Sequence, residues 1–126
     1  MTPRAIPVAG VKPDAGSYSH VAAAWGGLLF VPGQVGVDGD GALVGDDAAS
    51  EARQGFRNLE QVLGAAGAGL DALAKLTVCV TDAAHAADVA RVRTELLEPP
   101  CSAVVAAGSL DPASKVEIEA IAVAVR

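Results

Sequence analysis

The chain ends on an apolar run that holds two acids: Lys115-Val116-Glu117-Ile118-Glu119-Ala120-Ile121-Ala122-Val123-Ala124-Val125. β-Branched residues and alternation predict a strand, and side chains alternate faces along a strand. Val116, Ile118, Ala120 and Ala122 therefore share one face. Glu117 and Glu119 share the other, which continues as Ile121, Val123 and Val125.

Upstream, the spacing of apolar positions switches between periods of 2 and 3.6. Val11 to Ser19 holds Pro13, Gly16, Ser17 and Ser19 and reads as loop. His20 to Ala24 and Leu28 to Val31 read as two strands joined at Gly26-Gly27, a hairpin signal. Gly33, Gly36, Gly39 and Gly41 follow as turn and close-approach positions, with Asp38-Gly39 and Asp40-Gly41 as turn pairs. Ala52, Phe56, Leu59, Leu63 and Ala66 recur at helical steps. Asp46 or Asp47 caps that helix, Glu51 sits in its first turn, and Gly67 and Gly69 end it. Leu73 to Val80 alternates Leu76, Val78 and Val80 against Lys75, Thr77 and Cys79, a strand. A second helix spans about Ala84 to Leu97 and stops at Pro99-Pro100. Ser102 to Ala107 is a strand, Gly108 to Ser114 a loop, and the terminal strand completes the chain.

The order β-β-α-β-α-β-β predicts an α+β sandwich, two helices covering one face of a mixed or mostly antiparallel sheet. With no linker or repeat, residues 1–126 read as a single domain. The second sheet face carries Val, Ala and Ile, so we expect another subunit to cover it.

Composition sharpens this picture. Apolar residues make up 52% of the 126 and aromatic ones only 3%, so the core is built from Ala, Val, Leu and Ile, which favours burying further surface by oligomerising. The net charge of -6 argues against a phosphate-backbone partner, since no cluster of Lys or Arg offers a basic face. Val21 to Val31 is too short to span a bilayer, and Met1 to Arg4 opens no signal core, so a cytoplasmic protein is expected. Two cysteines, Cys79 and Cys101, fit a reducing compartment.

Two acids heading an otherwise apolar face are half-buried, paired with Lys75 or Lys115, or at work as acid and base. Cys101 is a nucleophile only if a base or a positive field reaches it, and nothing beside it in sequence does. Cys79, mid-strand, reads as packing. His20 and His85, with the two cysteines, lack metal-ligand spacing. Gly33, Gly36 and Gly39 lack the Lys-Ser/Thr of a phosphate loop. Tyr18 lines a pocket or lies on the surface.

Read together, several segments resemble the Rid proteins (reactive intermediate deaminases, also called YjgF-like). They are Gly16-Ser17-Tyr18-Ser19-His20, Leu29 to Val35, Gln54 through Asn58-Leu59, Ala65-Ala66-Gly67, Lys75 to Asp82, Pro99-Pro100-Cys101-Ser102 and Val116 to Ala122. The resemblance implies a chorismate-mutase-like α+β fold, a homotrimer with its sheets lining a barrel, and small-molecule sites in the clefts between subunits. It implies hydrolysis of enamines and imines to keto acids and ammonia without a cofactor. Glu117 matches the position that orients the attacking water. Tyr18, Ser102, Gly33 and Gln34 match cleft positions. One departure stands out. Where these deaminases carry an arginine that grips the substrate carboxylate, this chain has Cys101, and Ala90 stands where they commonly have Asn. Nothing smaller reproduces a bidentate guanidinium–carboxylate pair. The resemblance therefore implies a divergent enzyme with Glu117 and Cys101 as its catalytic candidates, one that is not an efficient 2-aminoacrylate deaminase, or else a non-catalytic metabolite-binding trimer.

Overall fold

A computed structural model describes residues 4–11, 22–24, 27–97, 102–108 and 114–123. Its strands are β1 (Arg4–Ala5), β2 (Ala22–Ala24), β3 (Leu28–Val35), β4 (Leu73–Val80), β5 (Ser102–Ala107) and β6 (Val116–Val123). Its helices are α1 (Ala48–Ala65) and α2 (Ala86–Leu96), and the strands form one sheet in the order β1-β2-β3-β6-β4-β5. The two helices and the sheet are the expected α+β architecture. The sheet is mixed: β4 and β5 run parallel and every other pair antiparallel. The parallel pair follows from connectivity, because α2 carries the chain across between those two strands.

Three details differ from expectation. A two-residue strand, β1, precedes the predicted ones and pairs Arg4 with Ala23; it is too short to leave a period in the sequence. The second helix begins as a 3-10 turn over Ala83–His85, where the Asp82 carboxylate accepts from the Ala84 N–H at 2.9 Å. β3 does not stop at Val31 but continues through Pro32 and Gly33 to Val35. Val31 pairs with Ala120 and Gln34 with Ile118, so Pro32 and Gly33 together oppose the single residue Glu119. That is a β-bulge, where a proline is tolerated because the ladder is already interrupted.

The terminal strand sorts its faces as the alternation predicts. Val116, Ile118, Ala120 and Ala122 are buried, and they pack with Leu29, Val31, Leu76, Val78 and Val80 against Phe56, Leu59, Val62 and Leu63 of α1. Asp47 caps α1, accepting from Ser50 N at 2.8 Å, and that bond holds its carboxyl below the usual range. Gly67, at φ +78°, ends the helix in the left-handed conformation that a side chain disfavours. On the opposite sheet face, Leu28, Phe30 and Val123 are 37%, 41% and 50% exposed.

Candidate functional site

Glu117 sits near the head of β6, half-buried, on the face turned away from the helices. Its cross-strand partners are Val35 on β3 and Cys79 on β4. The bulge in β3 brings Gly33 against it. A Cβ added at Gly33 would lie 2.5 Å from Glu117 Cδ and 2.6 Å from its Oε1. The absence of a side chain at Gly33 is thus what leaves room for the carboxylate, which makes it the close-approach position the sequence suggested.

A second stripe of α1 fixes this corner. Glu51, Gly55, Asn58 and Val62 recur at steps of four, three and four and are all buried. The Glu51 carboxylate, 1% exposed, accepts from Lys115 N at 2.7 Å and pairs with Lys115 Nζ at 3.3 Å, tying the helix to the residue just before β6. A Cβ at Gly36 would meet Glu51 Cα at 2.5 Å, so that glycine admits the helix itself. Gly55 packs on Ile118 and on the backbone carbonyl of Gln34. Asn58 Nδ2 donates to Val35 O at 3.0 Å and Val37 O at 2.8 Å, while its Oδ1 accepts from Gln54 Nε2 at 3.0 Å. Buried amides are expected to be satisfied in this way. These residues hold the end of β3 and the start of β6, the two segments that bear Gly33 and Glu117. The sequence held a signal: a Glu, a Gly and an Asn at helical spacing beside the apolar stripe.

The other candidates separate. Gln34 is in register with Ile118, not with Glu117, and is 4% exposed, its Nε2 donating to Pro32 O at 3.1 Å. Ser102 pairs through its backbone with Lys75 at the start of β5. Cys101, Tyr18 and His20 lie outside the described residues. Lys115 pairs with Glu51 and not with either acid of β6, so one of the two pairings considered for those acids is replaced by a contact to the helix. Cys79 shares its face with the acids of β6. It is half-buried, and its thiol is pushed up by burial first and then by the negative charges of Glu117 and Glu119.

Glu119 lies one step further along the same face, in register with Thr77. It borders an open depression of about 410 Å³, shared with Phe30, Pro32, Lys75, Thr77 and Ile121. Among the described residues, no three His, Cys, Asp or Glu side chains converge to hold a metal ion, and no helix is long and apolar enough to cross a membrane.

Residues 10–124 match the protein family described as endoribonuclease L-PSP. The chain is 35% identical over 122 residues to mmf2 of Schizosaccharomyces pombe, a protein named as mitochondrial, covering 93% of this chain and 96% of that one. It is 35% identical over 98 residues to the 2-iminobutanoate/2-iminopropanoate deaminase of Rattus norvegicus, covering 75% and 72%. Its fold is similar to the crystal structure of TdcF from E. coli with bound serine, with a TM-score of 0.81 at 28% identity, over 95% of this chain and 98% of TdcF.

Proposed function

The chain belongs to the endoribonuclease L-PSP family, the Rid or YjgF-like proteins, and on that premise we propose that it is a small-molecule enzyme acting on an enamine, imine or related reactive intermediate. The observation that carries this reading is Glu117: a half-buried carboxylate on an apolar sheet face, seated against a glycine whose missing side chain makes room for it. The relative named as a 2-iminobutanoate/2-iminopropanoate deaminase supports the reaction class. The serine-bound relative supports a small polar ligand.

In this reading Glu117 orients a water and takes a proton from it as the oxygen attacks the imine carbon. That proton passes to the substrate nitrogen to give a carbinolamine. The carbinolamine hydroxyl then gives up its remaining proton, which the same carboxylate relays to nitrogen as the C–N bond breaks, so ammonia leaves a carbonyl product. Electrons and protons balance without a cofactor. Tyr18, Ser102, Gly33 and Gln34 form the cleft, Gln34 through its backbone, and Cys101 is its wall or a second reactive group. The clefts lie between the subunits of a cytoplasmic homotrimer formed through the exposed apolar face, and the whole chain acts as one domain. Because Cys101 stands in the arginine position, the substrate has no carboxylate at that spot or another residue grips it. That same substitution supports a second reading, a trimer that binds a metabolite without turning it over.

The test is ammonia release from 2-iminobutanoate and 2-iminopropanoate, and from imines lacking a carboxylate. We expect negligible release from the first two and turnover of the third class that Glu117→Gln abolishes. Turnover unchanged in Glu117→Gln would overturn the mechanism. Cys101→Arg should install release from the carboxylated imines if the rest of the cleft is intact.

A further inference from the structure

The face that carries Glu117 and Glu119 is apolar over most of its extent, with Leu28, Phe30, Ile121 and Val123 presented outward. Among the described residues it holds one cation, Lys75, which is exposed, as is Glu119. The two occupy diagonal cross-strand positions: Lys75 is in register with Ile121, and Glu119 with Thr77. Diagonal neighbours on a sheet face are about 7–8 Å apart, within reach of two long side chains. They nevertheless make no ion pair with one another, nor with any other described residue, although three ion pairs form elsewhere among the described residues. Both charges flank the same depression, with the Phe30 ring beside them.

An apolar face of this kind is covered in solution. A covering surface without charge would bury Lys75 and Glu119 with no partner beyond each other, and the desolvation of two such charges can exceed what their pairing returns. The surface that answers one cation and one anion at fixed spacing is another copy of this chain: around a closed ring, the Lys75 of each subunit meets Glu119 of the subunit on one side, and its Glu119 meets Lys75 of the subunit on the other. We propose that Lys75 of one subunit pairs with Glu119 of the next, and that this pair, repeated around the ring, sets the register in which the apolar faces meet. The inference rests on the oligomeric reading above. It adds the contact that selects one packing of two otherwise featureless apolar faces. Greasy surfaces rich in Ala, Val and Ile slide; charges that must meet their opposites do not.

The experiment is charge reversal read by assembly. Wild type, Lys75→Glu, Glu119→Lys and the double variant are compared by light scattering and sedimentation over a concentration series, with circular dichroism checking the fold of each. We expect each single reversal to weaken assembly roughly tenfold or more, since it places like charges together. The double reversal should recover assembly to within about threefold of wild type, because it restores the pair with its sign inverted. Added salt should weaken wild type and double variant alike and narrow their gap from the singles. Singles that assemble like wild type, or a double no better than the singles, overturn the pair while leaving the oligomer standing. A monomeric wild type overturns both. If assembly ignores both reversals and a serine titration instead moves the NMR signals of Lys75 and Glu119, the depression belongs to a small zwitterion and the pair is wrong.

Discussion

Gly33→Ala separates the role of this bulge in positioning from its role in stability. The added Cβ would fall 2.5 Å from Glu117 Cδ, 2.6 Å from Oε1 and 2.8 Å from Cγ. Carbon atoms rest at about 3.5–4.0 Å, so the carboxylate must retreat by roughly 1 Å. The backbone does not object, because Gly33 is not among the glycines with positive φ. What yields is the far end of a flexible side chain, so the fold should lose no more than about 1 kcal/mol, partly offset by the lower chain entropy of alanine when unfolded. Chemistry is less forgiving: a misplacement of about 1 Å at a reacting group can cost roughly 100-fold in rate. Gly36→Ala is the control. There the added atom meets Glu51 Cα at 2.5 Å and its carbonyl oxygen at 2.6 Å, backbone that cannot swing aside, so stability should fall by about 1–3 kcal/mol or more. Thermal melting and steady-state turnover on the best imine substrate together give the answer. A Gly33→Ala enzyme with turnover within about twofold of wild type, or one destabilised as much as Gly36→Ala, would refute the argument that this glycine exists to seat the Glu117 carboxylate.

Other predictions test the frame and the charges. Glu51→Gln removes a buried charge-assisted bond to Lys115 N and the pair to its ammonium, and should lower stability by about 1–3 kcal/mol in urea melts at neutral pH. Asn58→Leu takes two donors from the Val35 and Val37 carbonyls; we expect about 1–3 kcal/mol lost and faster amide exchange around residues 34–37. Peptide-resolved alkylation with iodoacetamide should find Cys79 ionising above an ordinary thiol, with Glu117→Gln lowering that midpoint more than Glu119→Gln, the order in which the two charges act. The sign for stability follows. The unfolded thiol ionises first, so the Cys79 contribution is whole below the unfolded pKa and is lost as pH rises through the folded one.

Much of this molecule is legible in one dimension. The limits of β4 and β5, a cap at Asp46 or Asp47, the stop at Gly67 and the division of β6 into a buried and an outward face follow from period, caps and breakers, which are local properties of the chain. The two acids of β6 announce themselves because carboxylates are out of place on an apolar face. The motifs that carry the family likeness are equally a matter of sequence order. Tertiary structure decided what local pattern leaves open. It continued β3 through Pro32 and Gly33 by turning them into a bulge against Glu119, which no propensity for strand would allow. It gave Lys115 to Glu51, 64 residues away in the chain, and left Lys75 without an ion pair to any other described residue, although it lies diagonal to Glu119. It made Glu51, Gly55 and Asn58 a clamp on the strand ends, a role set by what lies opposite the helix and not by the helix's own pattern. Alternation along a strand tells which side chains share a face. Only the packing of strands and helix tells which of them meet, because contact depends on register between segments far apart in sequence.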